Sequence, residues 1–246
     1  NADGVDELLW GERCIDLETG RQLFCADEET YHGHSDIAAP FWSHAHQAWY
    51  FLCCRETHPQ ASPRICMYDA RGQRDWGQLE DGHIDLGWIA TLGENYTPYA
   101  MGIKIGDKVC GPDGRHHSSY SQHLFNAMTG EEKNLNFSVY KTLPVDLDGD
   151  GYHELVRGLP SADGVVFDRH GHEVGTVNGS VALSGKLIDM PGEQLLVYAA
   201  DGTVSLWYDV HAKDSPRAFA RFANPFYSKA LSISGNGYNW CILGGI

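Results

Sequence analysis

One segment recurs along the chain and constrains its fold more than any other feature: a short β-prone run bearing Asp or Asn, a turn glycine, and a more polar run. The copies read CIDLETG (Cys14 to Gly20), CMYDARG (Cys66 to Gly72), LFNAMTG (Leu124 to Gly130) and VVFDRHG (Val165 to Gly171), with SLWYDV (Ser205 to Val210) as a less regular fifth. Each reads as the hairpin joining the outer two strands of a four-stranded sheet. Pairs of apolar runs between them read as the inner strands: Asp36 to Trp42 with Ala48 to Cys54, Asp85 to Leu92 with Tyr99 to Ile105, Val139 to Val145 with Glu154 to Leu159, and Val181 to Ile188 with Gln194 to Ala199. Repetition at roughly 40–58 residues without helical periodicity predicts an all-β chain, a β-propeller of four-stranded antiparallel blades, with about seven blades in the full protein. A two-sheet sandwich is the alternative. The chain is read as one propeller domain, with blades over 1–32, 33–81, 82–137, 138–178, 179–223 and 224–246. Tyr227 to Ile246 reads as an inner strand pair. Asn1 to Leu9 aligns with Asp148 to Val156, which implies that chain precedes Asn1, with room for a signal peptide and further blades.

Composition narrows the partners. The 246 residues include 28 Gly, and no apolar run approaches the roughly 18 residues that would span a bilayer. A formal net charge of −15 provides no positive field for nucleic acid or anionic lipid, so an anionic partner must meet a local cluster of Arg and His. The seven cysteines form no CxxC pair; Cys14 with Cys25 and Cys54 with Cys66 flank hairpins and permit disulfides in an oxidising compartment, with buried free thiols as the other reading.

The most specific motif is Asp146 to Glu154, DLDGDGYHE. Carboxylates of Asp146, Asp148, Asp150 and Glu154 and the carbonyl of Tyr152 can converge on one hard cation, with Gly151 permitting the turn. Three aspartates this close repel one another without a cation. The loop has no flanking helix pattern. It resembles the calcium loops of FG-GAP-type propeller repeats, and Asp3, Gly4 and Glu7 resemble a second, partial copy; the resemblance implies structural calcium.

The candidate functional residues gather at the other end of the predicted sheets. Gly33-His34-Ser35-Asp36 and Gly82-His83-Ile84-Asp85 stand at the starts of successive inner strands, which places His34 and His83 on one face; a structural hydrogen-bonded His/Asp pair is the competing reading. The segment Asp107 to Gln122 reads as a long loop on that face carrying Arg115, His116, His117 and Tyr120, and the loop Arg55 to Pro63 adds His58. Cys110 with His116, His117 or His123 offers a zinc set of no standard spacing. Asn95, Asn136 and Asn178 head glycosylation sequons, relevant in a eukaryotic source.

Calcium loop, paired histidines and Arg/His/Tyr segment together resemble the propeller-type polysaccharide lyases, ulvan lyases and rhamnogalacturonan-type lyases. The resemblance implies a secreted or periplasmic monomer acting on an anionic, uronate-containing polysaccharide by β-elimination. Arg115 with a protonated histidine would neutralise the uronate carboxylate, His83 or Tyr120 would take the C5 proton, and His34 or Tyr120 would protonate the leaving oxygen, with His58, His116 and His117 binding substrate. A non-catalytic carbohydrate-binding or adhesion propeller is the alternative. No carboxylate pair on this face suggests glycoside hydrolysis.

Overall fold

The computed structural model describes residues 4–56, 58–112, 114, 116–233 and 244–246, and the chain is built of antiparallel sheets followed by two helices. The first sheet contains β1 (Glu7–Trp10), β2 (Arg13–Asp16) and β3 (Gln22–Cys25). The second contains β4 (Ser35–Ser43), β5 (Ala48–Arg55), β6 (Ile65–Asp69) and β7 (Arg74–Gln78). The third contains β8 (His83–Gly93), β9 (Thr97–Cys110), β10 (His116–Asn126) and β11 (Glu132–Lys133). The fourth contains β12 (Thr142–Val145), β13 (Glu154–Arg157), β14 (Val165–Phe167) and β15 (Glu173–Thr176). The fifth contains β16 (Ser180–Gly185), β17 (Gln194–Tyr198) and β18 (Val204–Trp207), before α1 (Pro216–Phe222) and α2 (Pro225–Ile233). Within each sheet, strands follow one another in chain order, so hairpins make every connection.

The recurring Asx–glycine segment folds alike in three of its copies. Asp69 Oδ1 accepts the N–H groups of Arg71 and Gln73, both at 2.8 Å, and Asp168 Oδ1 those of His170 and His172 at 2.9 and 2.8 Å. Asn126 does the same for Met128 and Thr129. The side chain thereby satisfies turn donors that have no ladder partner. The glycine is needed twice over. At Gly72 φ is +78°, and a Cβ would lie 2.4 Å from the ring of Phe24 in the preceding repeat. At Gly130 φ is +69°, and a Cβ would lie 2.8 Å from Trp76, whose Nε1 donates to the Ala127 carbonyl at 2.9 Å.

The chain divides into two compact units, residues 1–87 with 100–133 and residues 88–99 with 134–246. In the first, Ala26, Phe51, Cys53, Cys66 and Tyr68 form a buried cluster. Behind the start of β4 runs a polar network centred on fully buried Arg55. In the second unit, fully buried Trp88 donates to the Thr142 carbonyl at 3.1 Å, and Leu155, Val156, Leu195 and Val197 fill the sheets.

Three expectations change. The final stretch begins as helix rather than strand: Tyr227 to Ile233 belongs to α2, and residues 234–243 lie outside the described residues. Ser215 caps α1, accepting the Ala218 N–H at 3.2 Å ahead of Pro216, and Asn224 accepts the Phe226 N–H at 2.9 Å ahead of Pro225. These two cap–proline pairs are helix starts embedded in an otherwise β-like sequence. Second, the proposed disulfide pairs face opposite ways. Cys54 opposes Ile65 while Cys66 opposes Cys53, and Cys14 opposes Phe24 while Cys25 opposes Arg13; all these thiols are free. Third, Asp107 to Gln122 is not a loop along its length, since β9 runs to Cys110 and β10 starts at His116.

The alignment of the two glycine-acidic segments has a structural counterpart. Gly4 and Gly151 both have φ of +94°, and Glu7 and Glu154 each open the strand that follows. Asp3 lies outside the described residues. No helix among the described residues is long and apolar enough to cross a membrane.

Candidate functional site

In the first unit, antiparallel pairing of Ser35 with Arg55 sets His34 and Asp36 beside Glu56, and the Glu56 N–H donates to the His34 carbonyl at 2.8 Å. The register slips between Ser35 and Ile37, so Asp36 has no partner on β5 and its side chain is re-aimed, as bulges do beside functional sites. His34 Nε2 lies 3.0 Å from Asp36 Oδ1. His83, which opens β8, brings Nε2 to 2.6 Å from Asp85 Oδ1 and 3.5 Å from both Asp36 Oδ2 and Glu56 Oε1. His34 and His83 therefore converge on one carboxylate. Asp36 forms the floor of the cluster at 3% side-chain exposure, while His34 at 68% stands at its open side.

Burial, reinforced by Glu56 and Asp85, pushes the Asp36 carboxyl above its usual range. Asp36 Oδ2 and His83 Nε2 are buried and, among the described residues, make ion-pair contacts but no hydrogen bond. Orphaned buried polar atoms are costly, and here two of them face each other inside a ring of carboxylates. The donor atoms of His34, Asp36 and Glu56, and those of Asp36, His83 and Asp85, lie within 4.8 Å of one another in each set. Mixed imidazole and carboxylate donors around a buried, unsatisfied floor fit a divalent cation with positions left open toward solvent.

Of the remaining predicted residues, His58 and Tyr120 are described and belong to neither of these sets. His58 packs its ring against Tyr31, with centroids 5.3 Å apart. Tyr120 stands exposed on β10, two strands away from β8 in sheet order. Arg115 lies outside the described residues, and of His116 and His117 only the backbone is described. Of the zinc set, Cys110 is exposed and His123 shares a hydrogen bond with Ser121 at 2.9 Å; among the described residues neither belongs to a metal-sized cluster. The sequence assigns Asp36 and Asp85 a role only in the competing reading, as structural partners of the two histidines, and strand alternation at i and i+2 puts each near its histidine, at 3.0 and 2.6 Å. It gives no sign of Glu56, which only the β4–β5 register reveals.

The second unit holds the acidic loop. Val145 pairs with Glu154, closing Asp146 to Glu154 into the β12–β13 turn. Oxygens of Asp146, Asp148 and Glu154 lie within 4.8 Å of one another. Asp146 Oδ2 accepts from Gly151 N–H at 3.1 Å and from Arg221 Nη1 at 2.8 Å, while Oδ1 is buried without a hydrogen-bond partner among the described residues. Glu154 Oε2 accepts the Leu147 N–H at 2.8 Å. Burial above all, opposed by Arg221, pushes Asp146 up to about 7; burial, then Asp148, pushes Glu154 up to about 9. Asp150 turns Oδ1 to the Tyr152 N–H at 2.7 Å and stays outside the trio, and the Tyr152 ring stacks on Tyr96 at 4.3 Å. Besides Arg221, two further residues that the sequence did not flag complete the surroundings. Glu193 Oε2 accepts the Asp146 N–H, and Tyr227 on α2 donates to Glu193 Oε1 at 2.6 Å.

No family model matches this chain, and no curated protein matches it significantly. Solved structures do. The exotype rhamnogalacturonan lyase YesX superposes with a TM-score of 0.71 at 17% identity, over 98% of this chain and 40% of the other. The rhamnogalacturonan lyase YesW gives 0.70 at 16%, over 98% and 39%, and a rhamnogalacturonan lyase of Bacillus licheniformis gives 0.71 at 16%, over 98% and 39%. At these identities the likeness is one of fold, and this chain spans about two fifths of each of those chains.

Proposed function

We propose that the chain is part of a secreted polysaccharide lyase that cleaves a uronate-containing polymer by β-elimination, its sheets forming blades of a propeller. One observation carries this reading: the imidazoles of His34 and His83 and the carboxylates of Glu56 and Asp85 gather around Asp36, and the buried atoms Asp36 Oδ2 and His83 Nε2 have no hydrogen-bond partner among the described residues. The fold shared with rhamnogalacturonan lyases supports it. β-Elimination needs positive charge against the uronate carboxylate, so that the C5 proton can leave. A divalent cation, when bound, supplies that charge. His34, Asp36 and Glu56, or Asp36, His83 and Asp85, would hold it, through neutral ring nitrogens and ionised oxygens.

A ring nitrogen turned to a cation cannot take up a proton as well. The cluster therefore favours His34 and His83 as ligands over the acid–base pair read from sequence. Tyr120 and Arg115 remain the candidates for proton transfer and carboxylate binding. The loop from Asp146 to Glu154 would hold structural calcium.

The test is ultraviolet absorbance of the unsaturated uronate during incubation with a panel of uronate polymers, with and without chelator, for wild type, His83→Ala and Asp36→Asn. Metal-dependent product from wild type, lost in both variants, is expected. Saccharide binding without product would favour a carbohydrate-binding propeller, and product insensitive to both substitutions would remove this cluster from the chemistry.

A further inference from the structure

We propose that Tyr31, Ser35 and the buried Glu12–Arg55 pair are positioning residues that fix His34, Asp36 and Glu56 in ligand geometry. This rests on reading their cluster as a cation site. The three ligand-bearing positions are interleaved with the anchor: Ser35 lies between His34 and Asp36, and Arg55 directly precedes Glu56. Ser35 Oγ donates to the Glu12 carboxylate, 2.9 and 3.0 Å from its two oxygens, and Arg55 Nε donates to Glu12 Oε1 at 2.7 Å. Both ligand segments are thus tied to one carboxylate on the β1–β2 turn. The His34 carbonyl accepts twice, from the Glu56 N–H at 2.8 Å and from the Tyr31 hydroxyl, which pins the peptide between His34 and Ser35.

Arg55 is held in turn. Its guanidinium carbon lies 4.1 Å from the Tyr31 ring centroid, Nη1 donates to the Pro63 carbonyl at 3.0 Å and Nη2 to Asp27 Oδ2 at 3.0 Å. Burial pushes the Tyr31 phenol up to about 12, so it remains a donor. Gly33 makes the Tyr31 contact possible, because a Cβ there would lie 2.5 Å from the phenol oxygen. A buried Arg–Glu pair is weak grounds for stability, since apolar residues of similar volume often replace one at no loss. Its contacts with both ligand segments give it a different task, and outer partners of metal ligands are worth about 10–100-fold in affinity.

The experiment titrates manganese(II) into the full chain labelled at histidine and follows paramagnetic broadening of the His34 and His83 ring C–H resonances, assigned with His34→Gln and His83→Gln. Wild type, Tyr31→Phe, Ser35→Ala and Ser35→Thr are compared, with metal-free thermal midpoints measured alongside. Expected is an apparent affinity about 10–100-fold weaker in Tyr31→Phe and Ser35→Ala, restored in Ser35→Thr, with midpoints shifted by only a few degrees. Lowered midpoints with unchanged broadening would make the layer purely structural and overturn the inference alone. Absence of broadening at both histidines in the wild type would overturn the cation site and the inference with it. Should Tyr31→Phe fail to fold, the Ser35→Ala and Ser35→Thr comparison decides.

Discussion

Removing metal from the Asp146 to Glu154 loop should make stability fall as pH rises, and calcium should abolish that fall. In the metal-free chain Glu154 is pushed up to about 9 from 4.5 and Asp146 to about 7 from 3.8. Each acid then holds its proton more tightly folded than unfolded. The folded chain binds more protons than the unfolded one between these values, so stability is greatest below about pH 4 and declines through neutrality. For Glu154 alone, at 9% exposure, the loss reaches about 5 kcal/mol by pH 8, at about 1.4 kcal/mol per pH unit above 4.5. With about 2–4 °C per kcal/mol for a chain of this size, the metal-free midpoint should drop by roughly 10 °C or more between pH 5 and pH 8. Scanning calorimetry in chelator and in excess calcium, at half-unit pH steps, measures both curves. Glu154→Gln supplies the reverse sign: without a charge to bury, it should be more stable than wild type at pH 8 in chelator, yet gain little from calcium. Parallel midpoint curves with and without calcium, or a Glu154→Gln variant less stable than wild type in chelator at pH 8, would refute the reasoning.

Arg221→Met should destabilise the chain by about 3–5 kcal/mol in urea titration, because it strips a buried partner from Asp146 while removing the donor to the Gly151 carbonyl. Brief alkylation followed by peptide mapping should label exposed Cys110 in the native chain and spare Cys53, Cys54 and Cys66, which are buried and whose thiols burial pushes up, until denaturant is added.

The two acidic clusters differ in how far the sequence announces them, and connectivity is the reason. Asp146 to Glu154 is a single turn between paired strands, so its spacing is its geometry; even there Glu193 and Arg221 arrive from distant segments and carry no local mark. The His34–His83 cluster draws on three segments. The His-x-Asp repetition makes two of them visible, because strand starts in successive repeats are structurally equivalent. Glu56 is set by register across a hairpin 20 residues wide, and Asp36 is aimed by a bulge that no propensity predicts. The same division runs through the fold. Asx–glycine turns are local chemistry and recur as read, whereas α1 and α2 were hidden because the apolar content of residues 216–233 fits strand and helix alike. Only Ser215–Pro216 and Asn224–Pro225 tip the balance.

The net charge of −15 bears on how such a site meets a polyanion. A basic enzyme gains encounter rate from its field and loses it as salt rises; in this chain a net charge of −15 repels a polyanion at long range, and under the proposed function attraction would begin only within reach of a cation at Asp36. Salt should therefore act in the opposite sense to that of a basic polymer-binding protein. As ionic strength rises from about 0.01 to 0.1 M, the Debye length shrinks from about 30 to 10 Å, screening the general repulsion more than the short-range contact. KM for the polymer should fall several-fold over that range while kcat stays level, with divalent cation held constant and saturating. A neutral saccharide of matching length should show no such trend. A KM that rises with salt would mean that a local basic surface, such as one built around Arg115, dominates the encounter, and that the Asp36 cluster is not what captures the polymer.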